Sequence, residues 1–116
     1  METGKIDIVN NSDKEVYGIY SSADVYNSFA DNLGTATGNI NISNEGTADV
    51  YGLYSLSSAY NAYASSYNTA TAIGTIDITN NDLGNTYGIY SSYSAYNTFE
   101  ENLDSIIIKL NFMFKR

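Results

Sequence analysis

The sequence predicts an all-β fold, a parallel β-helix (β-solenoid) of about three coils with a 34–36 residue repeat. Three observations carry that prediction: one unit recurs three times, each unit opens on strict alternation of Ile with other residues, and proline is absent. Gly4, Gly38 and Gly74 open the units, at spacings of 34 and 36 residues. Periods of roughly 20–50 residues are the mark of stacked repeats, in which a unit that cannot bury its apolar face alone buries it on a copy of itself. Proline inside a central strand would delete a ladder hydrogen bond, so its absence fits.

The elements follow in order. Behind each Gly stands Ile6-x-Ile8-x-Asn10, Ile40-x-Ile42-x-Asn44 or Ile76-x-Ile78-x-Asn80, the period-two pattern of a half-buried strand. Turn-forming residues come next: Asn11-Ser12-Asp13-Lys14, Glu45-Gly46-Thr47, and Asn81-Asp82-Leu83-Gly84-Asn85. A second strand is read at Tyr17-Gly18-Ile19-Tyr20, Tyr51-Gly52-Leu53-Tyr54 and Tyr87-Gly88-Ile89-Tyr90. The third part of each unit, around Tyr26-Asn27, Tyr60-Asn61 and Tyr96-Asn97, reads two ways. In copy one, Tyr26, Phe29 and Leu33 fall at helical spacing, with Gly34 as a C-terminal cap. In copy two, Ala59 to Tyr63 reads equally as a strand, and the balance tips slightly to strand or irregular structure. The competing architecture is a repeated β-hairpin plus short helix, because a turn of about five residues also closes a hairpin.

In a solenoid, Ile6, Ile40 and Ile76 form one inward column. Ile8, Ile42 and Ile78 form a second, and Ile19, Leu53 and Ile89 a third. Asn10, Asn44 and Asn80 end the first strand of every copy, and stacked amides hydrogen-bond from coil to coil. Residues 1–104 are thus one three-repeat segment. Residues 105–116 form an apolar C-terminal strand, with Leu110, Phe112 and Phe114 alternating with Lys109, Asn111 and Lys115. This strand reads equally as a cap on the open end or as a truncation artefact. Uncapped ends expose strand edges, so end-to-end self-association is expected.

Composition sets the function classes. The 116 residues carry 5 Lys+Arg against 13 Asp+Glu, with no His, Cys or Trp. Without His or Cys there is no common general base, no thiolate and no ordinary zinc site. From Glu15 to Asp104 there are acidic side chains and no basic one, which argues against nucleic acid. No window approaches the apolar length of a membrane span. Twelve Tyr offset the thin aliphatic supply, since each buries a large ring once its hydroxyl is satisfied.

Joined three times over, the G-x-I-x-I-x-N and Y-G-I-Y patterns resemble repeats of bacterial autotransporter-like surface proteins and adhesins, over roughly residues 4–104. The resemblance implies a right-handed β-helical passenger carried to the cell surface, usually without enzymatic activity. A signal peptide and a translocator barrel are absent from the sequence. The expectation is therefore a fragment of a longer repeat protein, at the cell surface or secreted, or cytoplasmic if the chain stands alone.

Sites for chemistry are few. Glu100-Glu101 is the one adjacent carboxylate pair, and neighbours on a strand point to opposite faces, as a solvated surface does. Asp7, Asn41 and Asp77 align as a column of the oxygen types calcium accepts, without a calcium-loop motif. Ser21-Ser22, Ser55 and Ser91-Ser92 have no His to activate them and read as polar turn residues. No catalytic, cofactor-binding or metal residue is expected, and the chain is read as non-enzymatic. Tyr20, Tyr54 and Tyr90 are the one candidate binding face, an aromatic ladder suited to a glycan or a host or cell-surface protein. Stacking of these rings to stabilise the sheet is the plainer reading. A polysaccharide-active β-helix enzyme is the distant alternative, since lyase chemistry generally needs a basic residue that residues 15–108 do not supply.

Overall fold

The computed structural model describes the backbone of residues 2–31, 34–65, 71–81, 84–101 and 105–114, and the side chains of 3–30, 34–65, 71–81 and 84–99. Each repeat forms one coil of three strands. The first coil holds β1 (Glu2–Asn10), β2 (Val16–Ser21) and β3 (Val25–Asp31). The second holds β4 (Thr35–Asn44), β5 (Val50–Ser55) and β6 (Ala59–Ser65). In the third, β7 (Thr71–Asn80) and β8 (Thr86–Ser91) are followed by a third side broken into β9 (Ala95–Tyr96) and β10 (Phe99–Glu101). A final strand, β11 (Ser105–Phe114), lies beside β7.

All pairing is parallel and joins equivalent strands of successive coils, giving the sheets β1-β4-β7-β11, β2-β5-β8 and β3-β6-β9/β10. No helix is present among the described residues, which sets aside the hairpin-plus-helix architecture and the helical reading at Tyr26 and Phe29. Leu33, the third residue of that reading, lies outside the described residues. The register is the repeat itself: Ile6 faces Ile40 and Ile40 faces Ile76, while Ile19 faces Leu53 and Leu53 faces Ile89. The fold is a three-coil parallel β-solenoid. Its shortest extent is 15 Å against 45 and 24 Å across the coil, close to three interstrand steps of about 4.8 Å.

The interior has two parts. Ile40, Ile42, Ile76, Ile78, Val16, Val50, Val25 and Leu53 form the larger core, with Ile6, Ile8, Ile19 and Ile89 packed against it. At the other end of the coil the walls converge on Ala30, Ala36, Ala62, Ala64 and Ala72. Methyl groups alone fit there, which is why a sequence poor in large aliphatics still closes a core. Between the two parts, the first sheet approaches the third so closely that a Cβ on Gly38 would stand 2.6 Å from the Asn27 carbonyl oxygen. Glycine holds this column in every coil, at Gly4, Gly38 and Gly74, and at Gly38 and Gly74 no Cβ could be added without moving backbone.

The second and third sheets bend within their strands. Pairing skips Gly18 and Gly52, so that Val16 and Ile19, three residues apart, both reach the core. The third side bends at Asn27-Ser28 and Asn61-Ala62, where Ser28 and Ala62 hold φ of 70° and 68°. Asn97-Thr98 stand at the same point in coil three, where the strand is interrupted. Left-handed backbone at a residue other than glycine costs about 1–2 kcal/mol, and its neighbour in each coil is the buried Asn of a ladder.

The tail extends the stack by one strand. β11 pairs with β7 from Ser105↔Thr71 to Phe114↔Asn80. This register sets Leu110 and Phe112 at the positions of the two Ile columns, beside Ile76 and Ile78. The backbone thus occupies the place of the first strand of a further coil.

Candidate functional site: aromatic and amide columns

Ten of the eleven described tyrosines stand in stacked columns, together with Phe29 and Phe99. The strand bends explain the pairing of columns. Because alternation breaks at Gly18, Tyr17 and Tyr20 come out on the same side of the second sheet, with rings 5.2 Å apart and edge to face. Along the stack Tyr17, Tyr51 and Tyr87 lie face to face at 4.9 and 4.8 Å. Tyr20, Tyr54 and Tyr90 do the same at 5.0 and 4.8 Å. On the third sheet the bend at Asn27-Ser28 brings Tyr26 and Phe29 together in the same way. Tyr26, Tyr60 and Tyr96 form one column there, and Phe29, Tyr63 and Phe99 the other.

The candidate face Tyr20, Tyr54, Tyr90 therefore points outward and stacks at once: Tyr20 is 56% and Tyr90 40% exposed. Within the column Tyr54 has a ring on each face, Tyr20 and Tyr90 each stack on one side, and the edges meet the neighbouring column. The middle ring thus offers solvent its edge and hydroxyl alone. Each stacked pair contributes about 0.5–1.5 kcal/mol beyond its burial.

Two carboxylates sit at the inner column. The Tyr17 hydroxyl donates to the Glu15 carboxylate at 2.5 Å, and the Tyr51 hydroxyl to Asp49 at 3.5 Å. Asn85 takes the equivalent place before Tyr87. The hydrogen bond to Glu15 raises the Tyr17 phenol well above its usual range. Burial, with the charge of Asp49, pushes Tyr51 up to about 12. Desolvation also raises Tyr54 and Tyr60.

Two amide ladders run through the stack. Asn10 Nδ2 donates to Asn44 Oδ1 at 2.8 Å, and Asn44 Nδ2 to Asn80 Oδ1 at 2.9 Å. The second ladder is fully interior: Asn27 donates to Asn61 at 2.7 Å and Asn61 to Asn97 at 2.8 Å. The Tyr-Asn repeat marked these residues in the sequence, yet nothing in the spacing said that the Asn faces inward.

Four of the acidic residues are tied to the next coil. Asp24 accepts the Ser58 backbone N–H at 3.0 Å, and Asp49 that of Asn85 at 2.8 Å. Glu45 accepts from the Asn81 amide at 2.5 Å and Asp7 from Asn41 at 2.8 Å. Hydrogen bonds from Ser57 and the Ser58 amide hold Asp24 below the ordinary carboxylate range. Asn41, with Lys5 at 3.0 Å, does the same for Asp7. At Asp24, Asp49 and Glu45, backbone and amide N–H groups thus do the work that Lys5 shares at Asp7.

The column Asp7, Asn41, Asp77 lines a groove of about 290 Å³ on the outer face of the first sheet, with Val9, Ser43 and Thr79. Asp7 and Asp77 are two coils apart, roughly 10 Å at the interstrand spacing, and the amide between them presents N–H to Asp7. Among the described residues no group of three or more His, Cys, Asp or Glu converges on one point. The serines lie at the turn after the second strand: the Ser55 hydroxyl donates to the Ala23 and Ser58 carbonyls at 2.5 and 3.2 Å, and Ser91 donates to the Ser57 carbonyl. The Glu100 and Glu101 side chains lie outside the described residues. No helix among the described residues is long and apolar enough to cross a membrane. No family model, no curated protein and no solved structure matches the chain.

Proposed function

We propose that the chain is a non-enzymatic structural segment, a β-solenoid stretch of a bacterial cell-surface or secreted adhesin or autotransporter-like passenger. The observation that carries this reading is the pairing of three near-identical coils, residue on equivalent residue, from Glu2↔Ala36 to Ser55↔Ser91. Such a stack extends by about 4.8 Å per added coil without changing shape. Its outward rings and its carboxylates are used on the next coil, as a spacer requires. Antibodies raised against the purified chain test the reading on intact cells of its source. Labelling of the outer surface, or antigen in the medium, supports it. Antigen confined to lysed cells overturns it.

Exposure of Tyr20 and Tyr90 favours a second reading, a glycan- or protein-binding module. Both faces of Tyr54 are covered by its neighbours, so its contact would run through the hydroxyl and ring edge. Replacing Tyr20, Tyr54 and Tyr90 by Phe keeps the columns and removes the hydroxyls, so this reading requires glycan binding to be lost while the β-rich spectrum stays.

A further inference from the structure

The second sheet sets an outer tyrosine column, exposed at Tyr20 and Tyr90, edge to face against an inner one that is buried at Tyr51 and half-buried at Tyr17, and among the described residues it is the inner column that has carboxylates at its hydroxyls. Tyr20 is 56% exposed, and its ring lies 5.2 Å from Tyr17. Tyr54 lies 5.1 Å from Tyr51 and 5.4 Å from Tyr17. Tyr51 is only 9% exposed. Glu15 and Asp49 accept from Tyr17 and Tyr51, whose rings are stacked at 4.9 Å and 6°. A phenol gives up an electron readily only if its proton leaves with it, and here two neighbouring phenols each have a carboxylate to receive that proton.

We infer that Tyr17 and Tyr51 are a site of oxidative cross-linking, joined ring to ring as a dityrosine by a one-electron oxidant of the peroxidase class with hydrogen peroxide. The exposed Tyr20, with the half-buried Tyr54 stacked on it, is where electrons leave the protein. The vacancies pass edge to face to Tyr17 and Tyr51, whose phenolic protons go to Glu15 and Asp49. The two phenoxyl radicals then form one carbon–carbon bond between ring carbons ortho to the hydroxyls. The hydrogen on each joined carbon is released as the rings regain aromaticity, and the oxygens are reprotonated. In sum the chain loses two electrons and two protons, and one hydrogen peroxide becomes two waters. The product is a covalent staple between coil one and coil two. Its chemistry is independent of what the solenoid presents.

The test is limited oxidation of the purified chain with a peroxidase and hydrogen peroxide, followed by mass spectrometry. The expected product is a monomer lighter by two hydrogens, with dityrosine fluorescence. Cleavage before Asp residues should yield a joined pair of peptides, one starting at Asp13 and one at Asp49, linked through Tyr17 and Tyr51. Tyr17→Phe and Tyr51→Phe should each abolish that linked pair while leaving the β-rich spectrum intact. Glu15→Gln with Asp49→Asn should slow its formation, and Tyr20→Phe with Tyr54→Phe should slow it too. A link at Tyr20–Tyr54 or at the 83% exposed Tyr93 instead would overturn the proposal. So would cross-linked dimers in place of the lighter monomer, or coupling rates unchanged by the Glu15 and Asp49 substitutions.

Discussion

Asn27 donates its side-chain amide to the Asn61 side-chain oxygen at 2.7 Å, one coil above it, with both residues inside the protein. Asn61 passes the contact on to Asn97 and also reaches the Thr75 carbonyl at 3.3 Å. An amide in the middle of a solenoid satisfies donor and acceptor at once, because an identical amide lies one interstrand step away on either side.

Asn61→Ala should therefore be costly. It takes away the acceptor of the buried Asn27 amide and the donor to Asn97, and a buried polar group that loses its partner costs roughly 1–3 kcal/mol. Urea unfolding should show a loss of about 3 kcal/mol. Asn11→Ala, at an exposed turn, should change stability by less than about 0.5 kcal/mol. Equal effects would mean that the interior ladder adds nothing.

Gly52 should not accept a methyl group. A Cβ there would collide with the Gly88 carbonyl oxygen and stand 2.8 Å from the Ile76 side chain, and neither backbone nor core can give way without spreading two coils. Gly52→Ala should destabilise by about 2 kcal/mol or more, in the range of overpacked cores. Gly4→Ala meets its nearest atoms at 3.1–3.2 Å and should cost less. Thermal unfolding of the two variants decides the order.

Tyr54 stands between Tyr20 and Tyr90 with a ring on each face. Tyr54→Phe should be nearly neutral. Tyr54→Ala removes two stacked pairs worth about 0.5–1.5 kcal/mol each and should lower stability by about 2 kcal/mol. A Phe variant as unstable as the Ala variant would shift the weight from ring stacking to the hydroxyl.

Alkaline pH should unfold the chain sooner than most of its other groups would suggest. Tyr51 is pushed up to about 12 and Tyr54 and Tyr60 are raised, whereas in the unfolded chain all titrate near the ordinary phenol value of about 10. Their contribution is fully present below about pH 10 and falls as pH rises from about 10 to about 12, because the unfolded chain releases those protons first. Urea midpoints at about pH 8 and about pH 11 should differ, and Tyr51→Phe should reduce the difference.

Much of this architecture was legible in the sequence. The repeat fixes which residues stack: Ile6 on Ile40, Asn10 on Asn44, Tyr20 on Tyr54. Orientation was legible only while strict alternation held, as in β1, β4 and β7. Where the chain bends, at Gly18 and at Asn27-Ser28, period-two counting fails and two aromatics three residues apart share a face. That is why the Tyr17 and Tyr26 columns, and the inward turn of Asn27, do not follow from spacing. The acidic excess read as solubility. Its pairing with N–H groups of the next coil depends on turns stacking in three dimensions, which no local pattern records.

In-register stacking of equivalent residues underlies every sheet of the fold, and nuclear magnetic resonance reads it directly. Through-space contacts should join the Asn27 and Asn61 side-chain amides, and the Ile40 and Ile76 methyls, which are paired across 34 and 36 residues of sequence. Finding those contacts between equivalent residues of successive repeats is the predicted result. Contacts within each repeat instead, between its first and second strands as antiparallel partners, would contradict it.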